Sequence, residues 1–425
     1  MIFISDNSIK ELQEEFIDRI TSTHVFRTYE DTNKILMYDS STGIFGNAEP
    51  TITRLICEEK LINTPQCKNM VEMNIRGRTY RPRHKYNDAV CVGTGILMFE
   101  DGIIKHIPHT PEMIFESKLN INYDSKEVCP IWLNTLQYIL PNQCDRDLLQ
   151  EWFGYHFIFG NPYEKAMFFT GKPSTGKSTV IWVIDTLMGG CCSHWQLNDL
   201  TEDKHYCNAD LYGKLANTYS DMGNTTIKDC GRFKVLTGSR DTISARMPFE
   251  KPFNFVNCAK ITLSANRFPP LSAMVQGDMA FWKRVLAIIF SVQIVKRDIT
   301  IFDKLNAEMS GILNWALEGY IRLKSNHGQF TMNTDDVYAM WNSSAFAMNP
   351  LDEFITESMI ISHDCFIPLN LFKIGYERWC ALNNEPAVSG QELRAYLSQK
   401  GIFESTKVNK ETGTRDTILK GICEA

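Results

Sequence analysis

The sequence predicts an α/β protein built around a parallel sheet that helices cover on both faces. Between residues 161 and 300, continuous apolar runs alternate with helical patterns, which is typical of strands buried on both faces. A glycine-containing loop lies between one of these runs and the helical pattern after it. A mixed region precedes this core, and three helical segments with a hairpin follow it.

Residues 1–130 mix short strand-like runs with turns, so we expect a mixed α+β domain there. Ile35–Asp39 and Ile44–Phe45 flank a turn, and Gly95–Ile104 contains a second one, so two hairpins are predicted. Residues 131–160 carry apolar residues at helical spacing and are predicted to form a helical collar.

The core is predicted over residues 161–300, with a helical segment at 301–345 that completes it. Its strand candidates are Ala166–Thr170, Leu215–Tyr219, Ala259–Ser264 and Val285–Phe290. Residues 346–425 are predicted to form a C-terminal domain like a winged helix. Its pattern has helices near 351–361, 369–383 and 389–400 and strands at Ile402–Val408 and Thr417–Lys420.

Composition argues against a membrane-spanning protein and against a disulfide-stabilised one. The chain has 425 residues, 44% of them hydrophobic, and no apolar run approaches the roughly 20 residues that a membrane span needs. Thirteen cysteines without a C-x-x-C pair predict reduced thiols in a cytosolic setting. The densest group is spaced irregularly for zinc, and we interpret it as buried thiols and surface histidines. It comprises Cys191, Cys192, His194, His205 and Cys207.

The strongest motif runs from Gly171 to Thr179 and reads G-x-x-x-x-G-K-[ST]. A strand precedes it and a helix follows, so its backbone N–H groups are predicted to cradle the phosphates of ATP. Lys177 is expected to contact the β- and γ-phosphates, and the Ser178 hydroxyl to hold Mg²⁺. The predicted nucleotide-binding residues are Gly171, Pro173, Ser174, Thr175, Gly176, Lys177, Ser178 and Thr179.

A phosphate loop needs an acid from a second strand, to hold Mg²⁺ or polarise the attacking water. Asp221 ends the moderately apolar run Gly213–Asp221 and is the predicted acid. A solvated turn aspartate is the alternative interpretation of Asp221. Asp210 is a weaker competitor for the same role.

Read together, residues 165–290 resemble a superfamily 3 helicase of the primase-helicase type found in large DNA viruses, phages and plasmids. The flanks at about 20–160 and 340–425 are similar to the domains around that helicase, without its primase. The matching segments are Gly171–Thr179, Gly213–Asp221, Phe233–Asp241, Ile243–Arg246, Phe253–Phe255, Ala259–Pro269 and Asp278–Arg284.

The resemblance implies an AAA+-like core in a ring, usually a hexamer, with ATP between subunits. Lys177, Ser178 and Asp221 would then act within one subunit, and Asn266 would orient the attacking water. Arg284 would act on the ATP of a neighbouring subunit. Two lysines are further candidates for action across the interface. They are Lys283, where relatives often have a second arginine, and Lys165, for which a solvated lysine is the alternative interpretation.

The resemblance implies a DNA contact on a hairpin that precedes Asn266. Ile243–Arg246 and Phe253–Val256 would form its strands, and Arg246, Phe249 and Lys251 would contact DNA. Local packing of Phe249 is the alternative. The basic stretch Arg76–Lys85 could contact entering DNA or be a solvated loop, and the C-terminal domain could bind DNA or protein.

The sequence thus predicts an ATP-dependent replicative DNA helicase in the cytoplasm of a host cell, moving on single-stranded or forked DNA with a primase or polymerase partner. The resemblance implies 3′→5′ travel. The alternatives are a packaging or loading ATPase that does not unwind, and an initiator with a vestigial nucleotide site. The net charge of −6 hides a basic segment, since residues 234–298 carry ten basic and four acidic residues, or +6.

Overall fold

The chain folds into two units, Met1–Thr334 and Asp335–Ala425, which are described separately. The structure is a computed structural model. It describes residues 6–29, 33–58, 65–82, 89–100, 103–201, 205–222, 227, 229–247, 252–332, 337, 350–383, 387–388, 390–408 and 415–424.

The first unit begins with two small sheets and three helices. The first sheet has the order β3-β2-β1-β4, and the second pairs β5, β6 and β7 in antiparallel fashion. Both predicted hairpins are present, as β2–β3 and β6–β7. The elements are α1 (Asp6–Thr23), β1 (Phe26–Tyr29), β2 (Ile35–Asp39), β3 (Ile44–Asn47), α2 (Glu49–Glu58), α3 (Pro65–Thr79), β4 (Tyr80–Arg81), β5 (Ala89–Val92), β6 (Gly95–Glu100) and β7 (Ile103–Ile107).

Two helices then lead into the core, α4 (Pro130–Ile139) and α5 (Gln143–Tyr155). Helix α5 packs on a later helix, α13 (Met309–Ser325), so closely that a Cβ on Gly319 would lie 1.9 Å from the Gln150 carbonyl oxygen. Buried Glu151 accepts a hydrogen bond from Arg322 Nε at 3.0 Å across the same contact. The close approach at Gly319 and the ion pair between Arg322 and Glu151 therefore hold α5, in the helical collar, against α13.

The core is a five-stranded, all-parallel sheet with the order β14-β8-β13-β10-β9. Four strands match the predicted apolar runs closely, and β9, with two residues, is too short to leave a periodic pattern. A separate antiparallel pair, β11–β12, forms the predicted hairpin. The strands are β8 (Ala166–Thr170), β9 (Cys192–Ser193), β10 (Ala216–Tyr219), β11 (Thr242–Ala245), β12 (Phe253–Val256), β13 (Lys260–Ala265) and β14 (Val285–Ile289).

Helices connect these strands and cover the sheet. Apolar side chains of α5, α6 and α13 share one buried cluster with alternate residues of β8 and β14, on one face of the sheet. Phe168 of β8 packs instead against Phe233 and Phe268, so β8 is apolar on both faces. The remaining helices of this unit are α6 (Lys177–Met188), α7 (Leu197–Thr201), α8 (His205–Asp210), α9 (Gly231–Thr237), α10 (Ala273–Gln276), α11 (Met279–Trp282) and α12 (Ile301–Ala307).

The second unit has its own apolar core and a three-stranded sheet of order β15-β17-β16. The prediction of helix through residue 361 was wrong at its end, because Met359–Ile361 pair with Ile422–Glu424 as antiparallel strand. The elements are α14 (Pro350–Ser358), β15 (Met359–Pro368), α15 (Leu369–Asn383), α16 (Gly390–Gln399), β16 (Phe403–Val408) and β17 (Arg415–Glu424). Across the described part of the chain, no helix combines the length and apolarity needed to cross a membrane.

Candidate functional site

Three of the predicted site residues follow the carboxyl ends of neighbouring strands. Thr170 of β8 pairs with Ala265 of β13, and Leu263 of β13 pairs with Tyr219 of β10. The chain leaves these strands at Gly171, Asn266 and Asp221, which therefore lie at one edge of the sheet. Ligands of open parallel sheets bind outside this edge.

The loop that follows β8 has a backbone suited to glycine at both ends. Gly171 has φ 144° and Gly176 has φ 97°. A Cβ on Gly171 would lie 2.2 Å from the Phe290 carbonyl oxygen, and one on Gly176 would lie 3.0 Å from Ile139. Ser174 is also left-handed, with φ 61°. Neither glycine can therefore gain a side chain without displacing the loop.

Helix α6 begins directly after this loop. Gly176 is its N-cap and supplies no side-chain hydrogen bond, so the first N–H groups of the helix keep their capacity to donate. Pro173, Ser174 and Ser178 are exposed, whereas Thr175 is buried and donates to the Lys172 carbonyl oxygen at 2.9 Å. The loop thus presents a positive helix end and an exposed hydroxyl at the sheet edge.

Lys177 folds back into the loop. Its Nζ donates to the carbonyl oxygens of Gly171 at 2.5 Å and Lys172 at 2.8 Å. Burial lowers the pKa of Lys177 to about 8, and the negative charge of Asp221 acts in the opposite direction. The ammonium group is therefore held inside the loop by two backbone carbonyls. It is also close enough to feel the charge of Asp221, which follows β10, two strands away from β8 in the sheet.

Asp221 and Asn266 are tied to the same edge by the backbone. Asp221 is exposed, and the N–H of the next residue, Met222, donates to Ser264 of β13 at 2.8 Å. Asn266 is half-buried, and its carbonyl oxygen accepts a hydrogen bond from Gly171 N at 3.3 Å. Ser178 and Asp221 offer a hydroxyl and a carboxylate oxygen, which are ligand atoms that suit Mg²⁺.

Asp210, the competing acid, has a different position. It ends helix α8, before β10 rather than after it, and accepts a hydrogen bond from Trp195 Nε1 at 3.0 Å. The structure therefore brings Asp221, and not Asp210, to the edge that carries Lys177.

Arg284 lies at the opposite ends of the strands, where β8 and β14 begin. Its carbonyl oxygen accepts from Ala166 N at 2.8 Å, at the start of β8, whereas the loop follows the end of that five-residue strand. At about 3.3 Å per residue, the two edges are roughly 16 Å apart. The structure does not bring Arg284 together with Lys177 in one chain.

A carboxylate that the sequence analysis missed holds Arg284. Glu164 Oε2 accepts from Arg284 Nη2 at 2.8 Å, and the Arg284 side chain is 17% exposed. Lys165 Nζ donates to the Lys283 carbonyl oxygen at 2.5 Å, and burial with the Arg284 charge lowers the pKa of Lys165. Lys283 is exposed. Three basic residues, Arg284, Lys165 and Lys283, thus lie together beside one acid, Glu164.

The predicted DNA contact is described in part. Arg246 is exposed at the end of β11, whereas Phe249 and Lys251 lie outside the described residues. At the base of the hairpin, Phe253 and Phe255 pack edge-on against Tyr212, with ring centroids 5.1 and 5.5 Å away. Aromatic packing therefore anchors the hairpin to the rest of the unit.

The basic stretch at Arg76–Lys85 is partly neutralised by acids. Arg76 pairs with Glu72 at 3.2 Å, and Arg78 pairs with Asp18 at 2.5 Å. Residues 83–88 lie outside the described part of the chain. Two of the charges counted in this stretch are thus already paired within the chain.

Fold and site define an α/β protein with a five-stranded parallel sheet and a glycine-containing loop at its carboxyl edge. Residues 169–279 match a family of unknown function, DUF5906. No curated protein matches the sequence.

Three solved structures are similar to the chain along nearly all of its length. Each is of the C-terminal region of NrS-1 in its apo state. Two A-form structures, one of them of region 305–718, have 13% and 14% identity and TM-scores of 0.46 and 0.45, and each alignment covers 96% of this chain and 98% of that chain. A further structure of region 305–718 has 13% identity, a TM-score of 0.46 and the same coverage.

Proposed function

We propose that the protein is an ATP-hydrolysing motor that moves on DNA, and specifically a ring-forming helicase of a viral, phage or plasmid replication system. The observation that carries the proposal is the position of Lys177. It begins a helix behind a glycine-framed loop, on the sheet edge that also bears Asp221. The helicase type and the replication setting rest on the order of the sequence motifs.

The residues at this edge fit the chemistry of bound ATP and Mg²⁺. The N–H groups at the start of α6 and the Lys177 ammonium would bind phosphate oxygens. Lys177 would then donate to these oxygens instead of to the carbonyl oxygens of Gly171 and Lys172. Ser178 and Asp221 would hold Mg²⁺, which neutralises the charge that develops on the phosphates. The Asn266 amide would position the attacking water at the adjacent strand end.

The location of Arg284 supports action between subunits. Arg284 lies where β8 begins, roughly 16 Å along that strand from the loop. This position serves the loop of its own chain poorly, and in a ring the guanidinium would reach the loop of a neighbour. Lys165 and Lys283 lie beside it and would add positive charge to the same interface. A ring of this kind gives one ATP site per subunit boundary.

The motor function is tested by strand displacement. The full chain, supplied with ATP and Mg²⁺, is expected to separate a forked DNA duplex, and an ATP analogue that resists hydrolysis should not support the reaction. ATP turnover that depends on DNA but separates no strands would favour a packaging or loading ATPase. DNA binding without any turnover would favour an initiator with a vestigial site.

Asp221→Asn is expected to lower ATP turnover by about 100-fold, because the amide cannot share the Mg²⁺ charge as a carboxylate does. Asp210→Asn is the matched control, since it changes an exposed carboxylate that neighbours the same strand at its other end. It should leave turnover near the wild-type rate. Steady-state phosphate release measures both variants, and equal losses would remove Asp221 from the site.

Nucleotide affinity is expected to fall as the pH rises above 8. With the pKa of Lys177 lowered to about 8, its amine is charged below that pH and increasingly neutral above it. Bound phosphates favour the charged form, so the association constant should drop by up to about tenfold per pH unit above 8.

Lys177→Arg provides the control for this pH dependence, because a guanidinium stays charged throughout the range. Its affinity, even if weaker, should be independent of pH between 8 and 9.5. Fluorescent-nucleotide titrations of both proteins give the two slopes. The same slope in both would assign the titration to another group.

A further inference from the structure

Three potential metal ligands meet near the carboxyl end of α6, the helix that begins after the loop. Asp185 lies near the carboxyl end of that helix, Cys192 lies in β9, and His194 follows two residues later. Their ligand atoms all lie within 4.8 Å of one another. Cys192 Sγ is 3.4 Å from Asp185 Oδ1, and His194 Nδ1 is 3.9 Å from the same oxygen.

These separations suit a tetrahedral zinc site. With metal–ligand bonds of about 2.0–2.3 Å, neighbouring ligand atoms lie roughly 3.3–3.6 Å apart. The two separations from Asp185 Oδ1, 3.4 Å to Cys192 and 3.9 Å to His194, lie within that range or just above it, and the separation of Cys192 from His194 is below 4.8 Å. A thiolate and an imidazole beside a carboxylate also select zinc over magnesium or calcium, which prefer oxygen alone.

The surroundings of the cluster fit a ligand role as well. The Thr218 hydroxyl donates to Asp185 Oδ1 at 2.5 Å and so orients the acid. It also lies 3.1 Å from His194 Nδ1 and 3.6 Å from Cys192 Sγ, in contact with all three ligand atoms. Carboxylates that bind metals usually keep such a hydrogen bond. Cys192 is buried, whereas the His194 side chain is 61% exposed, so the cluster opens to solvent on one side.

We propose that Asp185, Cys192 and His194 bind a zinc ion, with water in the remaining position. The ion would join the helix that begins at Lys177 to strand β9 and, through Thr218, to β10. Cys192 pairs with Ala216 at the start of β10, and Thr218 is the next-to-last residue of that strand, so the site lies beside β9 and β10 at the side of the sheet. None of its three ligands is among the residues of the proposed ATP site.

The test is a zinc titration of the metal-stripped full chain against a chromophoric chelator. We expect one high-affinity zinc ion per chain. Because losing an outer partner of a zinc ligand costs about 10- to 100-fold in affinity, Cys192→Ser and His194→Ala should each cost at least about 100-fold. Cys191→Ser, which changes the adjacent buried cysteine outside the cluster, should keep the wild-type affinity.

A second measurement separates direct ligation from loss of fold. Cobalt in place of zinc should give a thiolate charge-transfer band that Cys192→Ser abolishes and that Cys191→Ser retains. His194 is exposed, so His194→Ala should leave the thermal unfolding midpoint of the metal-free chain unchanged. Absence of high-affinity zinc from the wild type, or undiminished affinity in both Cys192→Ser and His194→Ala, would overturn the proposal.

Discussion

Lys177→Ala is expected to abolish ATP turnover, with a loss of about 1000-fold, because the variant removes a charge-assisted donor from a partly buried site. Lys177 Nζ donates hydrogen bonds to the carbonyl oxygens of Gly171 and Lys172. Phosphate oxygens would replace these acceptors, and an alanine offers nothing in their place. Phosphate release by the purified variant measures the loss.

Lys172→Ala is the matched control for this prediction. Lys172 is exposed in the same loop, and the carbonyl oxygen that Lys177 contacts belongs to its backbone, which the substitution keeps. Turnover should survive in this variant. Normal turnover in Lys177→Ala would mean that the loop does not serve ATP hydrolysis at all.

The residues around the loop were predictable because each determinant is local in sequence. A strand, a loop with glycines at fixed positions and a helix are written consecutively from Ala166 to Met188. The strand before Asp221 was predictable for the same reason.

Contacts between distant segments could not be predicted in this way. Glu164 meets Arg284 because β8 and β14 are neighbours, although 120 residues separate the two side chains along the chain. Asp185 meets Thr218, 33 residues later, where α6 packs beside β10. Neither carboxylate belongs to a sequence motif, so no pattern indicated its partner.

The strand at Met359–Pro368 illustrates a further limit. A short apolar run such as Met359–Ile361 suits a buried helix end and a strand equally well. Its partner, β17, lies more than fifty residues later and decides between them. The local sequence therefore indicated regular secondary structure there, but not whether it is a helix or a strand.

Arg284→Ala is expected to bind ATP normally but to lose turnover by about 10³- to 10⁵-fold, the range for an arginine that stabilises transferring phosphate. The residue is also paired with Glu164, so a loss could come from a damaged fold instead. Glu164→Gln separates the two explanations, because it breaks the ion pair and keeps the guanidinium. If Arg284 serves catalysis, Glu164→Gln should hydrolyse ATP far better than Arg284→Ala.

Mixing variants then shows in which subunit Arg284 acts. Lys177→Ala subunits keep Arg284, and Arg284→Ala subunits keep an intact loop, so neither turns over ATP alone. In a mixed ring, an intact loop can face an intact arginine across a subunit boundary, and turnover should return. Turnover that stays absent in rings shown to contain both subunits would place Arg284 outside the neighbour's site. The roughly 16 Å between the sheet edges favours recovery, since it leaves the arginine of one chain remote from its own loop.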